Sequence, residues 1–504
     1  MSRRDLLAAL GVTLAGCRSK KNDAPEARTA SLAAGRSPEL RWGVQSGDVT
    51  STSAVVWSRT DRPSRFIVDW STHPRLTGSR RILGPFANGD SDFTGRLALT
   101  SLPAGSRIHY RAGFEADGRT EWSEGSFATA PDKDDQRDVV FAWSGDTNGQ
   151  GWGIDEKRGG MPAYTAVLDR APDFFVHCGD RIYADDPIKP TIALPDGGSW
   201  NNLVLAGKDH KAETLEDFRA AFLYSRACAQ VRALSASVPL YSIWDDHEVR
   251  NNWWPGQSPE IDLLALHARR AMYEHTPTLV DPRSIMYRSF RWGPHLEVFL
   301  LDGRSYRTRN YPLPPDSARF LGNAQLAWLE DALVRSTATW KVIACDMPIG
   351  LVVSEPNGAG GEAYDGFANV DGPPRERELE LAQLFSTLKK HRVQNVVWLT
   401  ADVHYAAAHQ YDPARAAYKD FDPFWEFVAG PMHATAFPRK RLDDTFGPEI
   451  AYASADVDTF GSPATGAQFF GVVRIDGNSR ALTVRLVDAR GRDLYATTLR
   501  PAAA

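Results

Sequence analysis

The chain has 504 residues and a formal net charge of −5, with 42% hydrophobic and 24% charged residues. Such a length exceeds one simple core, so two or more folded units are expected, of ordinary soluble composition. The charge excludes a basic footprint for specific nucleic-acid binding, and any field that attracts an anion has to be local.

At the N-terminus, Arg3 and Arg4 precede the apolar run LLAALGVTLAG, which is too short to span a bilayer. Ser2-Arg3-Arg4-Asp5-Leu6-Leu7 resembles a twin-arginine export signal, and Leu14-Ala15-Gly16-Cys17 resembles a bacterial lipobox. Residues 1–17 are therefore expected to be a lipoprotein signal read by export machinery. The product would be periplasmic or held at the cell envelope, touching membrane only through a lipid on Cys17. Residues 18–38 are polar, small and basic, a flexible tether with too few large apolar side chains to fold. Beyond Cys17 the cysteines are Cys178, Cys228 and Cys345, with no CxxC among them, so no zinc-ribbon or redox motif is present. Cys178 and Cys345 lie in apolar runs and read as small buried hydrophobes.

Residues 39–131 show short alternating segments, among them SAVVWSRT, RFIVDWST and RIHYRAGF, separated by turn residues. Strands at such spacing with little helix predict a β-sandwich of immunoglobulin or fibronectin type. PDKDDQRD at 131–138 reads as a linker. From 138 to 500 strands alternate with helical patterns, an α/β order. Helices are predicted at 161–170, 214–234, 262–275, 323–336 and 374–391. Thr214 and Asp217 give the second a capping-box start, while Leu263, Leu266, Ala271 and Met272 give the third its apolar period. The Arg- and Glu-rich positions at 375–380 read as a solvated face. FFGVVRI, ALTVRLVD and LYATTLR close the chain as strands expected to complete the catalytic sheets.

Six apolar runs end on aspartate: VVFAWSGD at Asp146, FFVHCGD at Asp180, LYSIWDD at Asp245 and Asp246, LEVFLLD at Asp302, WKVIACD at Asp346 and VVWLTAD at Asp402. Ligands of α/β folds sit outside the carboxyl ends of strands. A row of carboxylates there repels itself unless a cation neutralises it, and hard cations take such oxygens. Gly145 and Gly179 precede two of the aspartates and permit a sharp turn. Tyr183 follows Asp180 by three residues, within reach of the same ion, and Asp402 and His404 share one face of an extended segment. A lone aspartate after a strand is ordinarily a helix cap or turn residue, a reading that suits Asp302 as well as a site role does.

Taken in order, Ser144-Gly145-Asp146, Gly179-Asp180-Arg181-Ile182-Tyr183, Asp245-Asp246-His247-Glu248 and Asp402-Val403-His404 resemble the calcineurin-like metallophosphoesterases. WDDHEVRNNW, LDGRSYR and LTADVHYA, behind a sandwich opening at RWGVQSGD, are similar to the PhoD-like alkaline phosphatases and phosphodiesterases. The resemblance covers nearly the whole mature chain. It implies a four-layer core of two packed mixed sheets flanked by helices, behind the N-terminal β-sandwich. It also implies two or more divalent or trivalent metal ions, iron with calcium foremost and zinc or manganese as alternatives. Asp180 would bridge two ions; Asp146, Tyr183 and His404 would complete the first site, Asp246 and Asp402 the second, with Asn251 or Asn252 as outer ligands. His247 would be the catalytic residue, stabilising the phosphorane and protonating the leaving alkoxide. Arg304 is a candidate to hold a phosphate oxygen, and equally to cap a helix or bridge carboxylates; His433 reads as a satisfied histidine near the rim.

Two departures bear on metal identity. Some family members supply a cysteine thiolate after the first strand, where this chain has Asp146, and Cys345-Asp346 stands where related enzymes carry a metal-binding histidine. The activity implied is hydrolysis of a small phosphate ester, mono- or diester, by attack of a metal-bound hydroxide on phosphorus. A phospholipase-type diesterase and a non-enzymatic surface binding protein are the alternatives. HExxH, GxSxG and nucleotide-loop motifs are absent from the sequence.

Overall fold

The apolar run VVFAWS forms the strand Val139–Ser144, which pairs in parallel with Phe174–Cys178, itself parallel to Leu240–Ile243. In a parallel sheet covered on both faces, strands read as continuous apolar runs. The computed structural model describes residues 37–502 except 280, 282, 311–312, 315–316 and 357–361. The export-like signal, Cys17 and nearly all of the expected tether lie outside the described residues. The closing strands Phe469–Ile475, Leu482–Asp488 and Asp493–Leu499 extend this sheet antiparallel from Val139–Ser144. A second, mixed sheet runs in the order Arg288–Trp292, Leu296–Leu300, Trp340–Ala344, Val396–Thr400, Phe424–Val428, Ala407–Tyr411, Pro448–Ala453.

The two sheets pack face to face through Phe141, Val176, Val298, Val342, Leu399 and Phe427. Helices Pro162–Asp169 and Ala229–Ser237 cover the outer face of the first sheet, where Val167 and Leu234 meet Phe175 and Val472. Helices Gly322–Arg335 and Glu378–Lys390 cover the second, where Leu329 and Phe385 meet Ile343 and Trp398. This is the four-layer α/β core, helix on sheet on sheet on helix. Among the described residues, no helix is long and apolar enough to cross a membrane. Cys178 and Cys345 are buried as expected.

The N-terminal strands form a sandwich. Arg80–Ala87, Ser64–Ser71, Arg107–Ala116 and Arg119–Ala128 make one sheet, and Val44–Gly47, Ser53–Arg59 and Thr94–Thr100 face it across Val56, Phe66, Val68, Ile108 and Phe114. The second of these sheets does not end there. Gly47 pairs in parallel with Leu240, and the Asp48 amide donates to the Leu240 carbonyl at 3.1 Å. A Cβ at Gly47 would lie 2.5 Å from the carbonyl oxygens of Leu240 and Pro277, so glycine is needed for the backbones to meet. Sandwich and core thereby share one nine-stranded sheet.

Three local expectations are corrected. The helix predicted at 214–234 begins as expected, with Thr214 and Asp217 in a capping box, but breaks at Cys228, whose backbone is extended. The break sends Leu215–Tyr224 against Pro259–His275 and Ala229–Ser237 against Pro162–Asp169. Leu263 and Leu266, part of the apolar period by which the third helix was predicted, are 51% and 64% exposed, whereas Ala268, Ala271 and Met272 carry the contact. Lastly, 375–380 is not a solvated face, since Arg377, Glu378 and Glu380 are buried. The Glu380 carboxylate accepts the amides of Phe320, Leu321 and Gly322 at 2.7, 2.8 and 2.9 Å, satisfying backbone donors at the start of the next-door helix.

Candidate metal centre

The strands of both sheets deliver their terminal aspartates to one place, and the local backbone is unusual there. Asp146, Asp180, Asp402 and His404 have φ of 65°, 53°, 63° and 63°, the left-handed region. Non-glycine residues held there cost of order 1–3 kcal/mol each, and such strain gathers at functional sites. Gly179 has φ 100°, and a Cβ on it would lie 2.5 Å from the Asp245 Cβ, so the Asp180 and Asp245 loops pass in contact.

Three overlapping clusters result. Asp146, Asp180 and His404 form the first, Asp180, Asp246 and His247 the second, and Asp245, Asp246 and Asp402 the third, each with ligand atoms within 4.8 Å of one another. Asp180 belongs to two clusters and Asp246 to two, which brings together the carboxylates and His404 proposed from sequence. The Tyr183 hydroxyl lies 2.7 Å from His404 Nε2, and the Tyr183 ring packs on His247 at 4.3 Å. His404 Nδ1 faces the Thr435 carbonyl at 2.5 Å and Nε2 lies 3.6 Å from Asp146 Oδ1.

The donor set fits cations. Both Asp146 carboxylate oxygens and Asp246 Oδ1 are buried and meet no hydrogen-bond donor among the described residues. Burial and then the Asp402 charge push the Asp146 carboxyl well above the usual carboxylate range, and burial and the Asp246 charge do the same to Asp180. Burial with Asp246 lifts Asp402 to about 7. Burial holds His404 down at about 3, with further help from the charges of His247 and Lys440, against its bond to Thr435. A neutral imidazole among carboxylates is the protonation state that a metal ligand needs.

His247 is oriented from two sides. Its amide donates to Asp180 Oδ1 at 3.2 Å, and its Nδ1 lies 2.7 Å from Asp185 Oδ1. Asp185 Oδ2 in turn accepts the Asn251 amide at 2.7 Å. With Nδ1 engaged, Nε2 is the atom that can exchange a proton with a substrate. Burial opposes a charge on His247, but Asp246 and Asp185 outweigh it and raise the imidazole to about 10. Asp246 contributes less once it shares its charge with a cation, whereas Asp185 keeps its contribution.

Asp302, Asp346 and His433 fall outside these clusters of His, Cys, Asp and Glu side chains. Asn251 and Asn252 bring backbone amides to Asp185 and Asp246 at 2.7 and 2.6 Å. Asp302 behaves as a turn residue, accepting from the Trp244 indole, Arg304 N and Ser305 N. Asp346 lies behind Asp245, with its Oδ2 3.5 Å from Arg304 Nε. His433 Nε2 donates to the Gly153 carbonyl at 2.9 Å, and His433 belongs to none of the clusters formed by the described residues.

Arg304 takes a different place from a phosphate clamp. It is fully buried, bonding Asp245 Oδ1 at 2.6 Å and Asp365 through both terminal nitrogens at 3.1 and 2.8 Å. Burial disfavours ionised Asp365, yet the guanidiniums of Arg304 and Arg307 hold its carboxyl well below the usual range. Arg304 thus fixes the loop bearing Asp245 and Asp246. Arg304→Met is expected to cost about 3–5 kcal/mol of unfolding free energy, because it strands buried carboxylates. Denaturant unfolding checks this; a loss below about 1 kcal/mol, the value of a surface pair, would reject the positioning role.

Sequence reasoning missed Asp185, Asp365 and Glu248. The Glu248 carboxylate accepts the amides of Asp180, Arg181 and Asp245 at 3.0, 2.6 and 2.8 Å, tying two ligand-bearing loops together. Its position inside Asp245-Asp246-His247-Glu248 was the available signal.

A family model described as "PhoD-like phosphatase" matches residues 141–486, and one described as "PhoD-like phosphatase, N-terminal domain" matches residues 26–131. The chain is 30% identical to alkaline phosphatase D of Bacillus subtilis (strain 168) over 270 residues, 49% of this chain and 44% of that protein. The chain therefore spans less than half the length of this relative. A solved structure of PhoD superposes with a TM-score of 0.70 at 20% identity, covering 92% of this chain and 93% of that one. The purple acid phosphatase PPD1 from yellow lupin (Lupinus luteus) seeds gives 0.59 at 12% identity, covering 92% and 74%. At these identities the two structures establish likeness of fold.

Proposed function

Since the chain belongs to the PhoD-like phosphatase family, we propose that it is a metal-dependent hydrolase of phosphoric esters. The observation that carries this reading is the sharing of Asp180 and Asp246 among three clusters of buried and half-buried ligand groups. Asp146, Asp180, Tyr183 and His404 would hold one ion, and Asp180, Asp246 and Asp402 another. When bound, such ions neutralise the phosphoryl oxygens and lower the pKa of a water molecule. The protein's own part is positional. Glu248 keeps the Asp180 and Asp245 loops in register, Arg304 anchors Asp245, and Asp185 fixes the imidazole of His247 so that Nε2 can give a proton to the leaving oxygen.

Elemental analysis of the protein from its native host, with assays on a nitrophenyl phosphate monoester and on the matching diester, tests the proposal. Bound metal with turnover of either ester is expected. Bound metal with no turnover of any phosphate ester would instead favour a binding protein.

Tyr183 bears on metal identity. If its phenolate binds ferric iron, the protein should be coloured by charge transfer, and Tyr183→Phe should abolish the band. A visible band unchanged in that variant refutes phenolate ligation; a colourless active enzyme favours manganese or zinc.

Export and anchoring through Cys17 belong to the same proposal, supported by the residue pattern at 2–7 and 14–17. Intact cells should hold the protein at a membrane and Cys17→Ser should release it, since bacterial lipoproteins carry more than one acyl chain. Recovery of the unaltered protein wholly in the soluble cytosol would overturn the anchor.

A further inference from the structure

Beside the metal centre runs a groove of about 540 Å³, lined among others by Tyr364, Phe437, Arg439, Lys440, Arg441 and Phe460. It adjoins the candidate site directly. The Phe437 ring stacks on His404 at 4.6 Å with 16° between planes, and the Phe437 amide donates to the His404 carbonyl at 3.2 Å. The Lys440 amide donates to the Tyr405 hydroxyl at 3.2 Å, one residue beyond His404.

The charge in this groove is concentrated in a chain that is acidic as a whole. Arg441 is occupied, bonding Asp371 at 2.9 Å and the carbonyls of Leu442 and Asn369. Arg439 and Lys440 differ, since neither makes an ion pair among the described residues. Arg439 meets Asp456 through the backbone alone, its amide donating to the Asp456 carbonyl. Half-buried cations left without a counter-charge lack a structural partner and raise the local concentration of anions. Phe460 is 70% exposed at the same groove, and its neighbour Gly461 is pinned to Ala436 by a pair of 3.0 Å hydrogen bonds. An exposed ring on backbone anchored at the next residue, beside unpaired cations, suits a ligand that is both flat and anionic.

We propose that this groove receives the leaving group of the substrate, and that this leaving group carries its own negative charge next to an aromatic ring, as a nucleotide does. The inference rests on the reading of the chain as a phosphoesterase and narrows its substrate class. Arg439 and Lys440 are then specificity residues, remote from the phosphorus. Their contribution falls mainly on KM, because the second charge is held alike in ground and transition states.

The test compares adenosine 3′,5′-bisphosphate, in which either leaving group bears a phosphate, with adenosine 3′-phosphate. The metal-loaded enzyme should favour the bisphosphate in kcat/KM by roughly tenfold, a preference weakened by salt. The Arg439→Glu/Lys440→Glu double variant should lose or invert that ratio, and Arg439→Lys/Lys440→Arg should retain it. An equal ratio in the unaltered enzyme and the charge-reversed variant overturns the proposal. If no phosphate ester is turned over at all, the phosphoesterase reading fails by itself. The groove is then judged by calorimetric binding of adenosine 5′-phosphate to the metal-loaded protein. Binding weakened about tenfold by the double charge reversal supports it, and binding equal in both proteins overturns it.

Discussion

Asp180→Asn is expected to empty both metal positions together and to lower turnover by roughly a thousandfold or more, since metal ions supply several kcal/mol of transition-state stabilisation. The reason is geometric. Asp180 lies in the cluster with Asp146 and His404 and also in the cluster with Asp246 and His247. Its Oδ1 already accepts the His247 amide, so the side chain has little freedom to move toward one ion alone. Asp146→Asn should deplete chiefly the ion on the His404 side, and Asp402→Asn chiefly the other. Metal content per chain, measured on the three variants, separates these outcomes. If Asp180→Asn and Asp402→Asn lose the same single ion, the bridging role is wrong.

His247→Ala should leave the metal content intact and separate good leaving groups from poor ones. An alkoxide needs a proton as the ester bond breaks, whereas a nitrophenolate hardly does. Loss on an alkyl phosphate should therefore exceed loss on a nitrophenyl phosphate by roughly a hundredfold. Asp185→Asn gives a companion result. It removes the charge that faces His247 Nδ1 at 2.7 Å, so a smaller loss with the same leaving-group dependence is expected. Equal losses on both esters would make His247 an electrostatic stabiliser of the phosphorane. Release of an ion would make it a ligand, in keeping with its place beside Asp180 and Asp246 in the second cluster.

The clustered carboxylates and His404, the candidate ligand set, were legible because their signals are local. A strand that ends on aspartate and a histidine two residues beyond Asp402 can be read without knowing the fold. The supports were less legible, because their main partners lie on loops distant in sequence, and Glu248 alone carried a local sign, its place beside Asp245, Asp246 and His247. Arg304 finds Asp365 across a chain separation of 61 residues, and Glu248 reaches back 67 and 68 residues to the Arg181 and Asp180 amides. Charge patterning misread 375–380 for the same reason, since the backbone donors that bury Glu380 belong to another helix start. The apolar period at 263–272 misled differently. Small residues such as Ala268 and Ala271 carry that contact, allowing close helix approach, while the larger Leu263 and Leu266 face outward. Periodicity weights residue size and cannot see which face a neighbour covers.

The pairing of Gly47 with Leu240 also bears on how the molecule assembles. The strand Leu240–Ile243 lies between Phe174–Cys178 on one side and Val44–Gly47 on the other, and it leads directly into Trp244-Asp245-Asp246. An N-terminal strand made early in synthesis must therefore wait for a partner made much later, a high-contact-order closure that slows folding. Cutting the chain near residue 131 would leave an unpaired strand edge beside the ligand loop, open to pairing with other chains. The sandwich thus supplies the neighbour of the strand that leads into Asp245 and Asp246, and the two segments are poor candidates for separate expression.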